Sequence, residues 1–253
     1  MEARKVNIAN GWLWIKQGYW LFKKSPVLWV TLAVTGVVGL LGISTIPVIG
    51  DPFATLLFPI LLAGYMFGCR ALEHDEELEL SHLFAGFHNN TSQLVTLGGI
   101  SLISQMLILG VMMLTGGANL VSILMSGQPV ENPEILAQAA AGAGMSMMLS
   151  MALFSILLMA MQFAPMLIIF DKMSPIDALK ASLLGCLRNI LPLSLYGAMM
   201  FLFIMIASMP MMLGWLILLP VMLSSMYAIY RDLFPTPTEI AMALESEVIT
   251  PGQ

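Results

Sequence analysis

Charged residues are scarce in this chain of 253 residues, where they make up 10% of the sequence against 58% hydrophobic residues. A soluble domain carries roughly 25% charged residues, and the mean hydropathy here is +0.89. This number of charged residues is too small to cover a water-exposed surface. The composition therefore excludes a soluble enzyme. Nucleic acid is also excluded as a partner, because 10 basic residues against 15 acidic ones leave no basic stripe for phosphates.

Cysteine is nearly absent as well. The two cysteines, Cys69 and Cys186, both fall near the face that the charge pattern predicts to be cytoplasmic, where thiols stay reduced. The sequence therefore excludes a disulfide-stapled secreted module.

Long apolar runs, in contrast, are abundant. Six segments approach or exceed the roughly 20 residues that a helix needs to cross a bilayer. They are predicted at 26–49, 52–69, 92–114, 144–170, 190–209 and 211–230. The predicted fold class is therefore all-α, a polytopic membrane helical bundle with six transmembrane helices.

The basic residues indicate how this bundle is oriented. With six spans, every lysine and arginine falls on one side of the membrane. The charged residues on the opposite side are all acidic: Asp51, Glu131 and Glu134. An excess of basic residues in the loops marks the cytoplasmic side. We therefore predict a multi-pass protein whose N- and C-termini are both cytoplasmic.

The chain also contains an internal repeat of three units. Each unit is an amphipathic segment, predicted as a helix in the membrane plane, followed by a transmembrane hairpin. The amphipathic segments are predicted at 8–23, 79–89 and 175–189. Residues 1–234 are expected to form a single transmembrane domain, and residues 235–253 a flexible cytoplasmic tail.

The first amphipathic segment is rich in tryptophan and lysine. Indole rings favour the headgroup layer of a membrane, and lysines there interact with anionic cytoplasmic lipid. The predicted lipid-facing or interface residues are Trp12, Trp14, Trp20, Lys16, Lys23 and Lys24. This segment is interpreted either as a collar that anchors the bundle or as a surface that senses lipid or docks a partner.

Several stretches in the N-terminal part resemble a known family. They are GWLWI at 11–15, EELEL at 76–80 and HLFAGF at 82–87. With them the chain resembles a family of proteobacterial six-span inner-membrane proteins, and more distantly it is similar to membrane domains of the glycerophosphodiesterase-associated type. The resemblance implies a location in the bacterial inner membrane, and it brings no reaction and no catalytic residues.

Aspartate, glutamate, lysine, arginine and histidine are missing from all six predicted spans. Proton relays, ion-coupled transport and voltage sensing place such residues at membrane depth, so these mechanisms are disfavoured. No His-Glu-x-x-His or Gly-x-Ser-x-Gly motif occurs, and we predict no catalytic residue and no cofactor. The remaining polar and small residues, Gln105, Gln162, Gly64 and Gly68, are candidates for helix packing.

Methionine is over-represented, with 23 residues. Thioethers are soft ligands that suit Cu(I), and Met145, Met148, Met151, Met209 and Met212 cluster in the predicted outer half. We favour the alternative that methionine replaces leucine as an adaptable apolar filler, and no metal site is predicted.

Two functions remain after these exclusions. The favoured one is a non-enzymatic inner-membrane scaffold or accessory subunit that binds lipid or a partner protein. The alternative is a permease or channel for an apolar or uncharged solute, with Cu(I) as its least favoured substrate. The expected partners are the phospholipid bilayer and either another membrane protein or further copies of this chain.

Overall fold

The apolar segments of the sequence form helices. A computed structural model describes residues 3–126 and 133–235, and over these residues the chain forms ten α-helices and no strand. The helices are α1 (Asn10–Lys24), α2 (Pro26–Ser44), α3 (Gly50–Glu73), α4 (Thr91–Met112), α5 (Ala118–Met125), α6 (Pro133–Gly142), α7 (Gly144–Phe170), α8 (Pro175–Arg188), α9 (Ile190–Ser208) and α10 (Trp215–Leu233). A 3-10 helix, Leu80–Phe87, precedes α4, and a π-helical turn, Met113–Gly117, joins α4 to α5.

Six of these helical segments, among the described residues, are long and apolar enough to cross a membrane, which confirms the predicted fold class. The segments are α2, α3, α4 continued into α5, α7, α9 and α10. Some boundaries differ from the prediction. The first span ends at Ser44, and the last begins at Trp215, because the left-handed backbone of Met211 and Met212 forms a turn before it.

The amphipathic segments connect the three units in a cycle. In each unit the second span is the more buried one, so α3, α7 and α10 form the inner helices and α2, α4 and α9 lie outside. Each amphipathic segment packs mainly on the inner helix of the preceding unit: α1 on α10, the 3-10 helix on α3, and α8 on α7. Because α1 contacts the last unit, the N-terminal segment closes the ring.

The two cysteines are buried inside this arrangement and form no disulfide with each other. Burial raises the pKa of the Cys186 thiol to about 12, which keeps the thiol protonated and unreactive. The predicted flexible tail lies, apart from Pro235, outside the described residues, as does Glu131.

Candidate functional site

Helix α1 lies directly against the backbones of α9 and α10. A Cβ atom added to Gly11 would lie 2.8 Å from the carbonyl oxygen of Pro192, and one added to Gly18 would lie 2.6 Å from the backbone nitrogen of Ser225. Residues seven apart share one face of a helix. The two glycines therefore let α1 dock more closely than any side chain would allow.

Trp14 lies on the same docked face and is fully buried. Its indole N–H donates to Oδ2 of Asp232 over 2.8 Å, the same oxygen that accepts from the Asn10 side-chain amide over 2.7 Å. The prediction that Trp14 faces lipid is therefore wrong. The helical period places it between Gly11 and Gly18, where its polar N–H has the half-buried carboxylate of Asp232 as partner.

The exposed face of α1 carries Trp12, Trp20, Lys16 and Lys23. The Lys16 ammonium lies 5.4 Å from the centroid of the Trp12 ring, and the Lys23 ammonium lies 5.8 Å from that of Tyr19. These distances are typical of cation–π pairs. The exposed face therefore presents lysines that are positioned by aromatic rings.

Lys24 differs from this pattern. Its ammonium donates to the carbonyl oxygen of Leu72 and pairs with Asp75, both over 2.6 Å, and it lies 4.1 Å from the centroid of the Trp20 ring. The bond to Lys24 lowers the pKa of Asp75. The lipid-facing prediction is wrong for Lys24, because its side chain folds back and connects α1 to the end of α3.

An apolar groove runs beside the docked face of α1, between α9 and α10. We call it the α1 groove; its volume is 530 Å³, within the range of about 300–1,000 Å³ found for small-molecule sites. Its lining residues are Trp12, Ile15, Lys16, Tyr19, Phe203, Ile206, Ala207, Pro210, Gly214, Ile217, Leu218 and Val221. Lys16 is the one charged residue among them, and it lies at the end formed by α1.

A second space lies on the other side of the docked face. We call it the polar cavity; it has a volume of 410 Å³ and lies between α1 and the ends of α3 and α10. Its lining residues are Asn10, Leu13, Trp14, Gln17, Trp20, Leu21, Glu73, Tyr227, Ala228, Arg231 and Asp232. Helix α1 thus separates an apolar space from a polar one.

Polar contacts also join the inner helices at their ends on the predicted cytoplasmic face. Glu73 of α3 accepts from the Tyr227 hydroxyl over 2.6 Å and is paired with the guanidinium of Arg231. Asp171, which follows α7, accepts from the Tyr230 hydroxyl over 2.7 Å. Burial raises the pKa of Asp171, although the bond from Tyr230 partly offsets this effect. These contacts connect α3, α7 and α10 at one level.

The candidates for helix packing lie in different settings. Gly64 lies against the backbone of Leu83 in the 3-10 helix, and Gly68 against the Leu78 side chain. Gln105 donates to the Ser101 hydroxyl one turn earlier in α4 over 3.0 Å, a bond within one helix, and its role in packing between helices stays a prediction. Within the described residues, Gln162 has no hydrogen-bond partner.

The candidate copper ligands are exposed. Met145, Met148 and Met151 line one outward face of α7, and Met209 and Met212 lie in or beside the turn before α10. Their side chains are at least 67% exposed. That these methionines serve as apolar fillers stays a prediction.

Sequence reasoning missed several residues of this site. Asp232, Glu73 and Arg231 lie beside predicted spans and Ile206 lies within an apolar run, so no local motif marks them as residues of one site. One signal for α1 was available, since Gly11, Trp14 and Gly18 share a helical face. The sequence holds no signal for the helix that packs against that face, because the contact between Trp14 and Asp232 spans 218 residues of sequence.

Comparison with known proteins identifies one relative. A probable inner membrane protein of Burkholderia thailandensis is 31% identical over 205 residues, which cover 79% of this chain and 76% of that protein. No family model matches this chain, and no solved structure matches it.

Proposed function

This chain belongs to the family of that Burkholderia thailandensis protein, and we propose that it is a non-enzymatic scaffold of the inner membrane that binds phospholipid. The six apolar helices support a multi-pass protein. The basic residues support cytoplasmic termini, and the observation that carries the lipid-binding proposal is the α1 groove.

The shape and lining of the α1 groove suit an acyl chain. It runs along α9 and α10, which are candidate spans, from α1 to the turn that contains Pro210. Apart from Lys16, its lining lacks ionisable groups other than the Tyr19 phenol. Bilayer lipid has direct access to such a groove, and an apolar chain has no buried polar group to desolvate there.

The end of the groove at α1 suits an anionic headgroup. Lys16 and Lys23 lie over the rings of Trp12 and Tyr19, and amphipathic residues of this kind occupy the headgroup layer. A lipid phosphate at this end would meet the Lys16 ammonium, and Lys23, two turns further along α1, adds positive charge to the same exposed face. The bound lipid is therefore expected to be anionic, with its chain in the groove and its phosphate beside Lys16.

A matched pair of tryptophan substitutions tests this proposal. Ile206 lines the groove and Val38 lies on α2 outside it, and both side chains are 61% exposed. In Ile206→Trp the new ring fills the groove, so we expect about tenfold weaker lipid binding, equivalent to about 1.4 kcal/mol. Val38→Trp is expected to bind like the unmodified protein. Native mass spectrometry of gently extracted protein measures the retained lipid.

The outcome of this experiment is informative in both directions. Equal lipid retention by Ile206→Trp, Val38→Trp and the unmodified protein would contradict the proposal.

The permease alternative is tested on the same three proteins in sealed vesicles, where it predicts solute uptake. Among the described residues, fully buried side chains such as Met66, Phe163 and Leu167 fill the space between spans, and no contact there favours a solute path.

A further inference from the structure

The polar cavity is chemically distinct from the α1 groove. Three aromatic residues, Trp14, Trp20 and Tyr227, contribute to its lining, together with two carboxylates, Glu73 and Asp232. Aromatic rings and carboxylates together are the groups that recognise organic cations. The cavity volume of 410 Å³ is in the range of small-molecule sites.

The two carboxylates differ in their charge balance. Glu73 is paired with Arg231, the one cation among the lining residues. Within residues 3–126 and 133–235, Asp232 accepts hydrogen bonds only from the neutral groups of Asn10 and Trp14, and no lysine, arginine or histidine pairs with it. The cavity therefore has one negative charge more than its lining compensates.

The helix ends around the cavity favour a cation as well. Glu73 is the last residue of α3, and Asp232 lies in the last turn of α10. The C-terminal end of a helix carries a partial negative charge and the N-terminal end a partial positive one, so these two ends add to the field of the carboxylates against the single N-terminal end of α1 at Asn10. Trp20, which lines the cavity, already contacts the Lys24 ammonium with its ring.

Hydrogen-bond acceptors remain available in the cavity. Asp232 uses Oδ2 for both of its bonds, and Asn10 uses its Nδ2 as a donor, which leaves Oδ1 of each residue as an acceptor. The Gln17 amide adds another carbonyl oxygen. These three acceptors equal in number the N–H donors of a primary ammonium group.

From this combination we infer that the polar cavity is a binding site for a primary ammonium group, with Asp232 as its counter-ion. The site is separate from the α1 groove, and it does not depend on lipid binding there. The ammonium group belongs either to a free small amine or to the headgroup of an aminolipid. Both sources present the same chemistry to Asp232.

Titration of the full-length protein in lipid nanodiscs with ethylamine tests this inference. We expect saturable binding of ethylamine to nanodiscs made of phosphatidylglycerol alone. Asp232→Asn keeps an acceptor oxygen for Asn10 and Trp14 but removes the charge, and we expect at least tenfold weaker binding. Asp51→Asn is the matched control, because Asp51 is exposed at the other end of α3, and its binding should be unchanged.

A second variant keeps the test valid if Asp232→Asn fails to fold. Gln17 is exposed at the cavity, so Gln17→Trp is expected to fold, to occupy the space and to abolish ethylamine binding. Binding by both variants at the affinity of the unmodified protein would overturn the inference. A dissociation constant of ethylamine above about 1 mM would also overturn it. So would binding of acetate as tight as that of ethylamine.

Nanodiscs that contain phosphatidylethanolamine distinguish the two sources. If the natural ligand is a lipid headgroup, phosphatidylethanolamine competes and raises the apparent dissociation constant of ethylamine. If the ligand is a free amine, the constant is the same in both types of nanodisc. Either result, combined with weaker binding by Asp232→Asn, supports the ammonium site.

Discussion

Replacing Trp14 with alanine is expected to lower the free energy of unfolding by about 3–5 kcal/mol, the usual cost of removing a large buried aromatic side chain. Trp14 is fully buried, its ring packs edge-on to Tyr196 with centroids 6.3 Å apart, and its N–H donates to Asp232. The substitution leaves a cavity and removes one of two donors from the carboxylate. Equilibrium unfolding in mixed micelles measures the change.

Trp12→Ala is the matched control for this prediction. Trp12 lies two residues earlier on α1 and is 40% exposed, so its removal changes few contacts inside the protein. We expect the free energy of unfolding of Trp12→Ala to stay close to that of the unmodified protein. Equal destabilisation by the two substitutions would show that Trp14 does not anchor α1 to α10.

Replacing Gly18 with leucine is expected to detach α1 from α10. The Cβ atom alone would lie 2.6 Å from the backbone nitrogen and 2.8 Å from the Cα atom of Ser225, and backbone atoms of a packed helix cannot move aside locally. Overpacking of this kind costs about 1–3 kcal/mol or more. We expect protease cleavage within 10–24 to become faster and retained lipid to fall, because α1 forms one side of the groove.

Gly39→Leu is the control for bulk at a helical glycine. Gly39 lies in the middle of α2, where an added Cβ atom would meet nothing within 4 Å. We expect this variant to show the protease sensitivity and the lipid content of the unmodified protein. If Gly18→Leu behaved in the same way, α1 would not be docked as the structure describes.

Much of the fold is predictable because membrane insertion imposes a strong pattern on the sequence. Apolar runs long enough to span a bilayer reveal the spans, and a different periodicity reveals amphipathic segments such as 175–189. The ends are harder to predict. The predicted last span begins at 211, but Met211 and Met212 adopt left-handed conformations, which residues of this type rarely do.

The candidate site was only partly predictable, because its contacts join distant parts of the sequence. The exposed lysines and tryptophans of α1 follow from local amphipathicity, as Lys16 and Trp12 illustrate. The buried side of α1 depends on Asp232 and Ser225 in the last helix, and one sequence does not encode which helices become neighbours. The sequence therefore predicts a lipid-facing Trp14 together with Trp12 and Trp20, although the glycines on its face distinguish it.

Crosslinking with a phospholipid that carries a photoreactive group on its acyl chain tests the central claim most directly. After illumination of membranes that contain the full-length protein, mass spectrometry locates the adducts. The account predicts that they concentrate on the groove residues Phe203, Ile206 and Ile217. Labelling of Val34, Val38 and Leu41 on the exposed surface of α2 to the same extent would show that lipid contacts the protein without preference, and would contradict a lipid-binding groove.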